Sequence, residues 1–409
     1  MNKPVFNGER LLDRLKRLGE KGALHGGGVC RLALTDADKA GRDLLVRWMK
    51  ELGLEVSIDK IGNIWGIREG IEDGPPVMIG SHIDSVATGG LYDGVLGVMA
   101  GLEVVAALND ADLRTQKPLA VGAFTNEEGA RFAPDMLGSG VHQGALDLDE
   151  CLATVGIDGT VLGEELERIG YAGNVSVKNL TPAAFLEYHV EQGPVLEQEG
   201  IQIGAVTGVQ GISWTEYTVT GQSNHAGTTP MAMRHDAGVV AARIACEARA
   251  IADEFGPPQV STVGTFELNP NLVNVVPLEA KLTVDLRNTD NDKLIAAETR
   301  LAEAAARFAR DEGCKVEART LARFDPVEFD DALVSRIEQA ARDLGHSVRR
   351  MPSGAGHDAQ MFAPNCPTAM VFVPSAGGLS HNIAEHTEPD DLTAGGRILL
   401  NVALELLGE

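Results

Sequence analysis

The sequence predicts an α/β protein: a catalytic-type domain with a mixed sheet flanked by helices, interrupted by a smaller inserted α+β unit. Three observations predict it. First, apolar runs of strand length at Pro76–Ile79 and Pro118–Phe124 each end in a polar cluster, and an apolar run of helical length, Val95–Leu108, follows the first. Second, the pattern changes near Val206 to strand-like segments at Ile212–Gly221, Val260–Leu268 and Val275–Leu286, with helical segments at His235–Glu254 and Asp292–Arg310. Third, the earlier style resumes near residue 328. The expected division is 1–211 with 328–409 as one discontinuous domain, and 212–327 as an insertion of ordinary domain size.

In chain order, Glu9–Leu18 carries leucines at helical spacing, and Asp36–Leu52 repeats the pattern before Gly53, a helix stop. Leu54–Ile58 and Asn63–Ile67 alternate as strands. The strand into Gly80-Ser81-His82-Ile83-Asp84-Ser85 comes next, then its helix, then the strand ending in Thr125-Asn126-Glu127-Glu128-Gly129. Ala133–Leu180 reads as loop and helix, with His142 structural. Phe185–Gly193 reads as a strand whose period of two puts Glu187, His189 and Glu191 on one face. In the insertion, the helix from His235 shows an apolar stripe through Val239, Ala242, Ile244 and Ala248. A strand at Cys314–Thr320 ends that unit. A helix at Asp331–Leu344, a buried strand at Thr368–Val373 and a helix at Pro389–Leu407 complete the chain.

With 409 residues the chain is too long for one ordinary core, and with 44% hydrophobic residues it can bury a sizeable one. The net charge of −24 opposes binding to nucleic acid or to an anionic membrane. It does not exclude anionic substrates, since a metal and an arginine reverse the sign locally. The five cysteines are scattered and form no C-x-x-C. That pattern indicates neither a disulfide framework nor a thiolate zinc site. No signal peptide and no run of membrane-spanning length is read, so a cytoplasmic protein is expected.

Chemistry concentrates at strand ends, where open α/β sheets bind ligands. His82 offers an imidazole, Asp84 a partner for its other ring nitrogen, and Asp93 a possible bridging carboxylate. Alone, an H-x-D also suits a satisfied loop histidine. Glu127 and Glu128 fit a solvated turn, or a division of labour between proton acceptor and metal ligand. His189 between two same-face glutamates needs partners if buried, and either metal ligation or a rim salt bridge supplies them. His381, in a small-residue loop after a buried strand, is a further ligand candidate. The insertion contributes a loop around His225, the segment Asn271–Pro277, and Arg287; taken alone, each reads first as a turn with a capping residue or, for Arg287, a surface ion pair. Ser353–Asp358 reads as a glycine-bearing loop opening a helix.

Together these segments resemble a known family. Gly80–Ser85, Tyr92-Asp93-Gly94, Asn126–Gly129, His189–Pro194, His225–Met231, Asn274–Pro277, Ser353–Asp358 and Ser380-His381-Asn382 stand in the order found in the amidase, hydantoinase and carbamoylase branch of the aminoacylase-carboxypeptidase metallohydrolases. The resemblance covers nearly the whole chain. It implies two divalent metal ions per subunit (zinc, or manganese, cobalt or nickel). His82 and His189 would hold one ion, Glu128 and His381 the other, and Asp93 would bridge them. Asp84 would orient His82, and Glu127 would be the general base. His189 is informative, because the peptidase and aminoacylase relatives usually place a carboxylate there. Gln192, His225, Asn274, Arg287 and the Gly356 backbone would contact the substrate, with His225 and Asn274 stabilising the oxyanion and Arg287 clamping a carboxylate. The inserted unit would be a lid through which homodimers form.

The implied activity is hydrolysis of the ureido C–N bond of N-carbamoyl-L-amino acids to the amino acid, carbon dioxide and ammonia. Allantoate amidohydrolase and β-ureidopropionase activities are its chemical neighbours, and a metal-free binding protein on the same fold is the alternative of a different class.

Overall fold

The computed structural model describes residues 3–178 and 180–408. The chain divides into two compact units, 1–208 with 328–409, and 209–327.

The first unit is built on a nine-stranded mixed sheet. Its order begins Glu55–Ile58, Ile64–Arg68, Leu119–Phe124, Val77–His82, Ala184–Val190, Thr368–Val373 and Ile203–Val209. The four strands from Leu119–Phe124 to Thr368–Val373 are mutually parallel, and their flanking neighbours are antiparallel. Every residue of these four strands is buried, so their apolar stretches read as continuous runs rather than alternations. Helix Val95–Asp110 is buried along almost its whole length, which explains its lack of a polar face. Helices Asp331–Asp343 and Pro389–Leu407 cover the sheet with amphipathic faces, and helix Gly8–Gly19 packs on Val95–Asp110 and Pro389–Leu407. His142 is buried against Trp65, Phe124 and Phe362.

The second unit is a four-stranded antiparallel sheet, ordered Lys315–Phe324, Gly211–Thr220, Glu279–Asn288 and Val260–Asn269. Helices Ala237–Phe255 and Asn291–Glu312 pack against it, each capped at its N-terminus by an aspartate side chain, Asp236 and Asp290. Val219, Leu282, Val284, Ile244, Ile251, Leu301 and Phe308 are among the side chains of its core.

Four expectations change. The strand at 77–82 runs through His82, so Gly80 to His82 are part of the ladder rather than past it. The strand carrying His189 stops at Val190, and Glu191 instead accepts the Val195 and Leu196 amides at 2.8 Å each, capping a short helix. The run 275–286 is two strands: Val275–Val276 pairs with Asn224–His225, and Glu279–Asn288 joins the main sheet, the break falling at Pro277, which has no N–H to give a ladder. Finally, Val239 and Ala242 face outward; the buried stripe is Ala237, Val240, Ala241, Ile244, Ala248 and Ile251. An alanine-rich helix offers little hydropathy contrast, so its phase is poorly marked.

Candidate metal centre

Because four parallel strands lie side by side, their carboxyl ends open on one edge of the sheet, and each delivers polar groups there. His82 ends its strand and His189 sits one residue before the end of its own. Glu127 and Glu128 follow Leu119–Phe124, and His381 lies in the loop after Thr368–Val373. Asp93 stands just ahead of helix Val95–Asp110.

Asp93 is the centre of the cluster. Its Oδ1 lies 3.2 Å from His189 Nε2 and 3.8 Å from His82 Nε2. Its Oδ2 lies 3.3 Å from His381 Nε2, which in turn is 3.2 Å from Glu128 Oε2. Two groups able to hold a cation result, His82–Asp93–His189 and Asp93–Glu128–His381, sharing one carboxylate. Donor atoms about 2.0–2.1 Å from one tetrahedral ion stand about 3.3 Å apart, so these separations suit ligation, and mixed imidazole and carboxylate donors suit first-row divalent ions. Gly94 completes the fit. Its φ is +66°, and a Cβ there would fall 2.1 Å from His82 Nε2, so only glycine leaves room for the ring. A third group, Glu187–His189–His357, is a packed cluster instead. Glu187 already accepts Ser81 Oγ at 2.6 Å and the Ala359 amide at 2.8 Å, and His357 Nε2 pairs with Ser353 Oγ at 2.8 Å.

The charges set the protonation. Burial pushes His82 down to about 4, and its Nδ1–H donates to a main-chain oxygen, leaving Nε2 with a lone pair facing the centre. At His189 burial opposes the charge, but Asp93 outweighs it and lifts the ring to about 9. Asp93 and Glu128 lift His381 to about 10. Glu127 Oε2 stands 3.3 Å from His82 Nε2. Burial, and then the neighbouring carboxyl groups of Asp358, Glu128, Asp93 and Asp84, hold Glu127 well above the usual carboxylate range, which makes it more basic than a solvated glutamate.

Asp84 acts differently from expectation. The partner of His82 Nδ1 is the main-chain oxygen of Asp84, at 3.0 Å; the carboxylate is 3.8 Å away. The carboxylate turns instead to the amides of Glu127 and Glu128, each at 3.3 Å. A loop that turns directly after His82 brings the peptide oxygen, not the side chain, under the ring.

Sequence reasoning gave no role to three supporting residues. Arg31 is fully buried and gives its guanidinium to the carbonyls of Ile83, Leu18 and Lys21, pinning the loop that carries Asp84. Ser380 Oγ lies 3.1 Å from Gln192 Nε2 and 3.3 Å from Asp93 Oδ2. Glu385 accepts the Tyr92 and Asp93 amides. Arg31 left a signal as a charged residue inside the apolar segment Val29–Ala33, and Ser380 as the neighbour of His381 in Ser380-His381-Asn382; Glu385 left none.

Of the expected substrate contacts, Gln192 lies at this centre, with Nε2 3.0 Å from Asp93 Oδ2 and Oε1 buried without a partner among the described residues. Gly356 stands in the turn before helix Asp358–Phe362, next to Met136.

His225, Asn274 and Arg287 belong to the second unit. His225 and Asn274 are adjacent, since Val275 pairs with His225 and the Ala226 amide donates to Asn274 O at 3.0 Å. His225 Nδ1 receives the Gly227 and Thr228 amides at 3.0 and 3.2 Å, so the ring proton resides on Nε2. Arg287 is at the far end of the sheet, paired with Ile212, while Glu279 near the His225 end pairs with Thr220. Eight strand residues separate the two ends, roughly 27 Å. Asp285 holds the Arg287 Nη2 at 2.9 Å.

A sheet that gathers imidazoles and carboxylates into two groups able to hold a cation around one shared aspartate, with a buried glutamate beside them, fits a metal-dependent hydrolase class. Residues 78–405 match the peptidase family M20/M25/M40, whose members are metal-dependent. The chain is 44% identical to the N-carbamoyl-L-amino-acid amidohydrolase of Rhizobium meliloti over 98% of this chain and 96% of that one. It is 37% identical to the Geobacillus stearothermophilus enzyme of the same name over 98% and 99%. The crystal structure of an amidase of the hydantoinase/carbamoylase family from Burkholderia multivorans superposes with a TM-score of 0.96 at 44% identity, covering 100% of both chains. The chain therefore belongs to peptidase family M20/M25/M40, in its hydantoinase/carbamoylase amidase branch, and is a hydrolase acting on amide bonds.

Proposed function

We propose that this chain is a dinuclear amidohydrolase that cleaves the ureido C–N bond of N-carbamoyl-L-amino acids, yielding the amino acid, carbon dioxide and ammonia. The observation that carries the reading is Asp93, whose two oxygens serve two separate ligand groups. His82 and His189 would hold one divalent ion, and Glu128 and His381 the other. Zinc, manganese, cobalt or nickel suits these donors.

When bound, the ions supply Lewis-acid polarisation of the carbonyl and acidify water. Glu127 takes the proton of the attacking water and delivers it to the leaving nitrogen. Gln192 gives its Nε2 to Asp93 and Ser380, which leaves Oε1 as an acceptor for a ureido N–H. His225 offers an Nε2–H donor whose tautomer is set by its own loop, and with Asn274 it stabilises the carbonyl oxygen as charge develops. The Gly356 main chain adds a further contact. Arg287 binds the substrate carboxylate, a task that fits its planar fork, with Asp285 holding the guanidinium in place.

One small molecule cannot span the distance between His225 and Arg287 along a single sheet. We take the two sets to come from different subunits of a homodimer formed through the inserted lid unit. Five free cysteines fit a reducing cytoplasm. Among the described residues no helix is long and apolar enough to cross a membrane.

The test is ammonia release from a panel of N-carbamoyl-L-amino acids, their D-enantiomers, allantoate and N-carbamoyl-β-alanine. Preferred turnover of the L-compounds is expected. Preference for allantoate or N-carbamoyl-β-alanine moves the substrate within the ureido class, and no turnover of any by metal-replete protein leaves a binding protein.

A further inference from the structure

We infer that Glu385 is a positioning residue that sets the bridging carboxylate of Asp93 against His381; this rests on the dinuclear reading above. Glu385 belongs to the same loop as His381, and its own amide donates to Asn382 O at 3.0 Å, closing a tight turn just past that histidine. Its side chain crosses to a loop nearly three hundred residues away in sequence. There Oε1 accepts the Tyr92 amide at 2.9 Å and the Asp93 amide at 3.3 Å.

One carboxylate thus ties together the two loops that must agree for His381 and Asp93 to share an ion, without touching either ligand's side chain. The fit is close. A Cβ on Gly90 would fall 2.2 Å from Glu385 Cδ, so the facing loop carries no side chain at that point. Stability alone does not account for the arrangement, because Oε2 is buried with no hydrogen-bond partner among the described residues, a cost that an apolar residue would avoid. His82 and His189, in contrast, are placed by adjacent parallel strands and need no such tie.

The consequence is selective. Loss of the Glu385 acceptor frees the Asp93 loop from the His381 loop, and the ion held by Glu128 and His381 loses affinity before the other one does. The experiment is metal titration of the full-length apoprotein with manganese and with zinc, counting sites and dissociation constants by calorimetry and elemental analysis, with thermal unfolding alongside. Wild type is expected to bind two ions. Glu385→Ala should keep one near its original affinity and weaken the other by about 10–100-fold. Glu385→Gln, which keeps an acceptor at Oε1, should bind both. Glu385→Asp, with the carboxylate drawn back by one methylene, should lie between, and it carries the test if the alanine variant does not fold. Two ions bound as tightly by Glu385→Ala or Glu385→Asp as by wild type would overturn the inference while leaving the dinuclear reading intact. A wild-type protein that binds fewer than two ions would overturn the dinuclear reading and this inference with it.

Discussion

The carboxylate of Asp84 accepts the main-chain N–H of Glu127 at 3.3 Å, across 43 residues of sequence. Its other oxygen accepts the Glu128 amide at the same distance. One buried aspartate thus holds the main chain of both Glu127 and Glu128, while the preceding histidine is oriented by a peptide oxygen.

Asp84→Asn replaces one of those acceptors with an amide donor. A 10–100-fold fall in kcat/KM is expected, with metal at His82 retained because its own partner is untouched. Steady-state kinetics with metal analysis checks this. Unchanged kcat/KM would return Asp84 to a purely structural part.

Glu127→Gln keeps shape and removes basicity. Turnover should drop by about 10²–10⁴-fold with the metal content unchanged. If metal is lost as well, Glu127 is a ligand and the assignment of a base must move elsewhere.

Gly94→Ala drives a methyl group into the His82 ring at a left-handed backbone position. Crowding of this kind costs about 1–3 kcal/mol, with the backbone strain added. Urea unfolding should show the loss, and metal binding should fail at the His82 group. A variant of wild-type stability that loads metal normally would show that the ring has room to move.

Metal uptake should release protons. In the metal-free protein His381 holds its proton up to about pH 10, because Asp93 and Glu128 overcome the cost of burial. Asp93 also pulls His189 upward, but its Nε2 already accepts the Gly94 amide at 2.9 Å and its Nδ1 pairs with Val190 O, the pattern of a neutral ring. Ligation needs a neutral ring, so binding at pH 7 displaces a proton from His381 and apparent affinity climbs as pH rises. The same shift acts on the metal-free fold. A raised histidine pKa favours the folded state below about pH 6.5, the unfolded value, and that contribution fades as pH rises through about 10. Calorimetry in buffers of different ionisation enthalpy measures the protons. None released would mean that the His381 ring is already neutral.

How much of this was legible in sequence depends on the kind of contact. His82, Glu128, His189 and His381 stood out because each follows or closes an apolar strand, and parallel strands bring such ends together. The residues that hold them did not stand out. Glu385 and Asp84 act on main-chain amides of distant loops, and a peptide N–H carries no sequence label. The break at Pro277 was visible in principle, because proline cannot serve a ladder, yet the alternation of hydropathy ran straight across it. The separation of His225 from Arg287 needed strand register, which only pairing reveals.

In the dinuclear centre proposed above, Asp93 serves two ions at once. The most direct measurement is an anomalous difference map from crystals of the wild-type protein grown with manganese. Two peaks are predicted, one beside Oδ1 among His82 and His189, the other beside Oδ2 among Glu128 and His381. A single peak, or two that leave one oxygen of Asp93 without a metal neighbour, would contradict it.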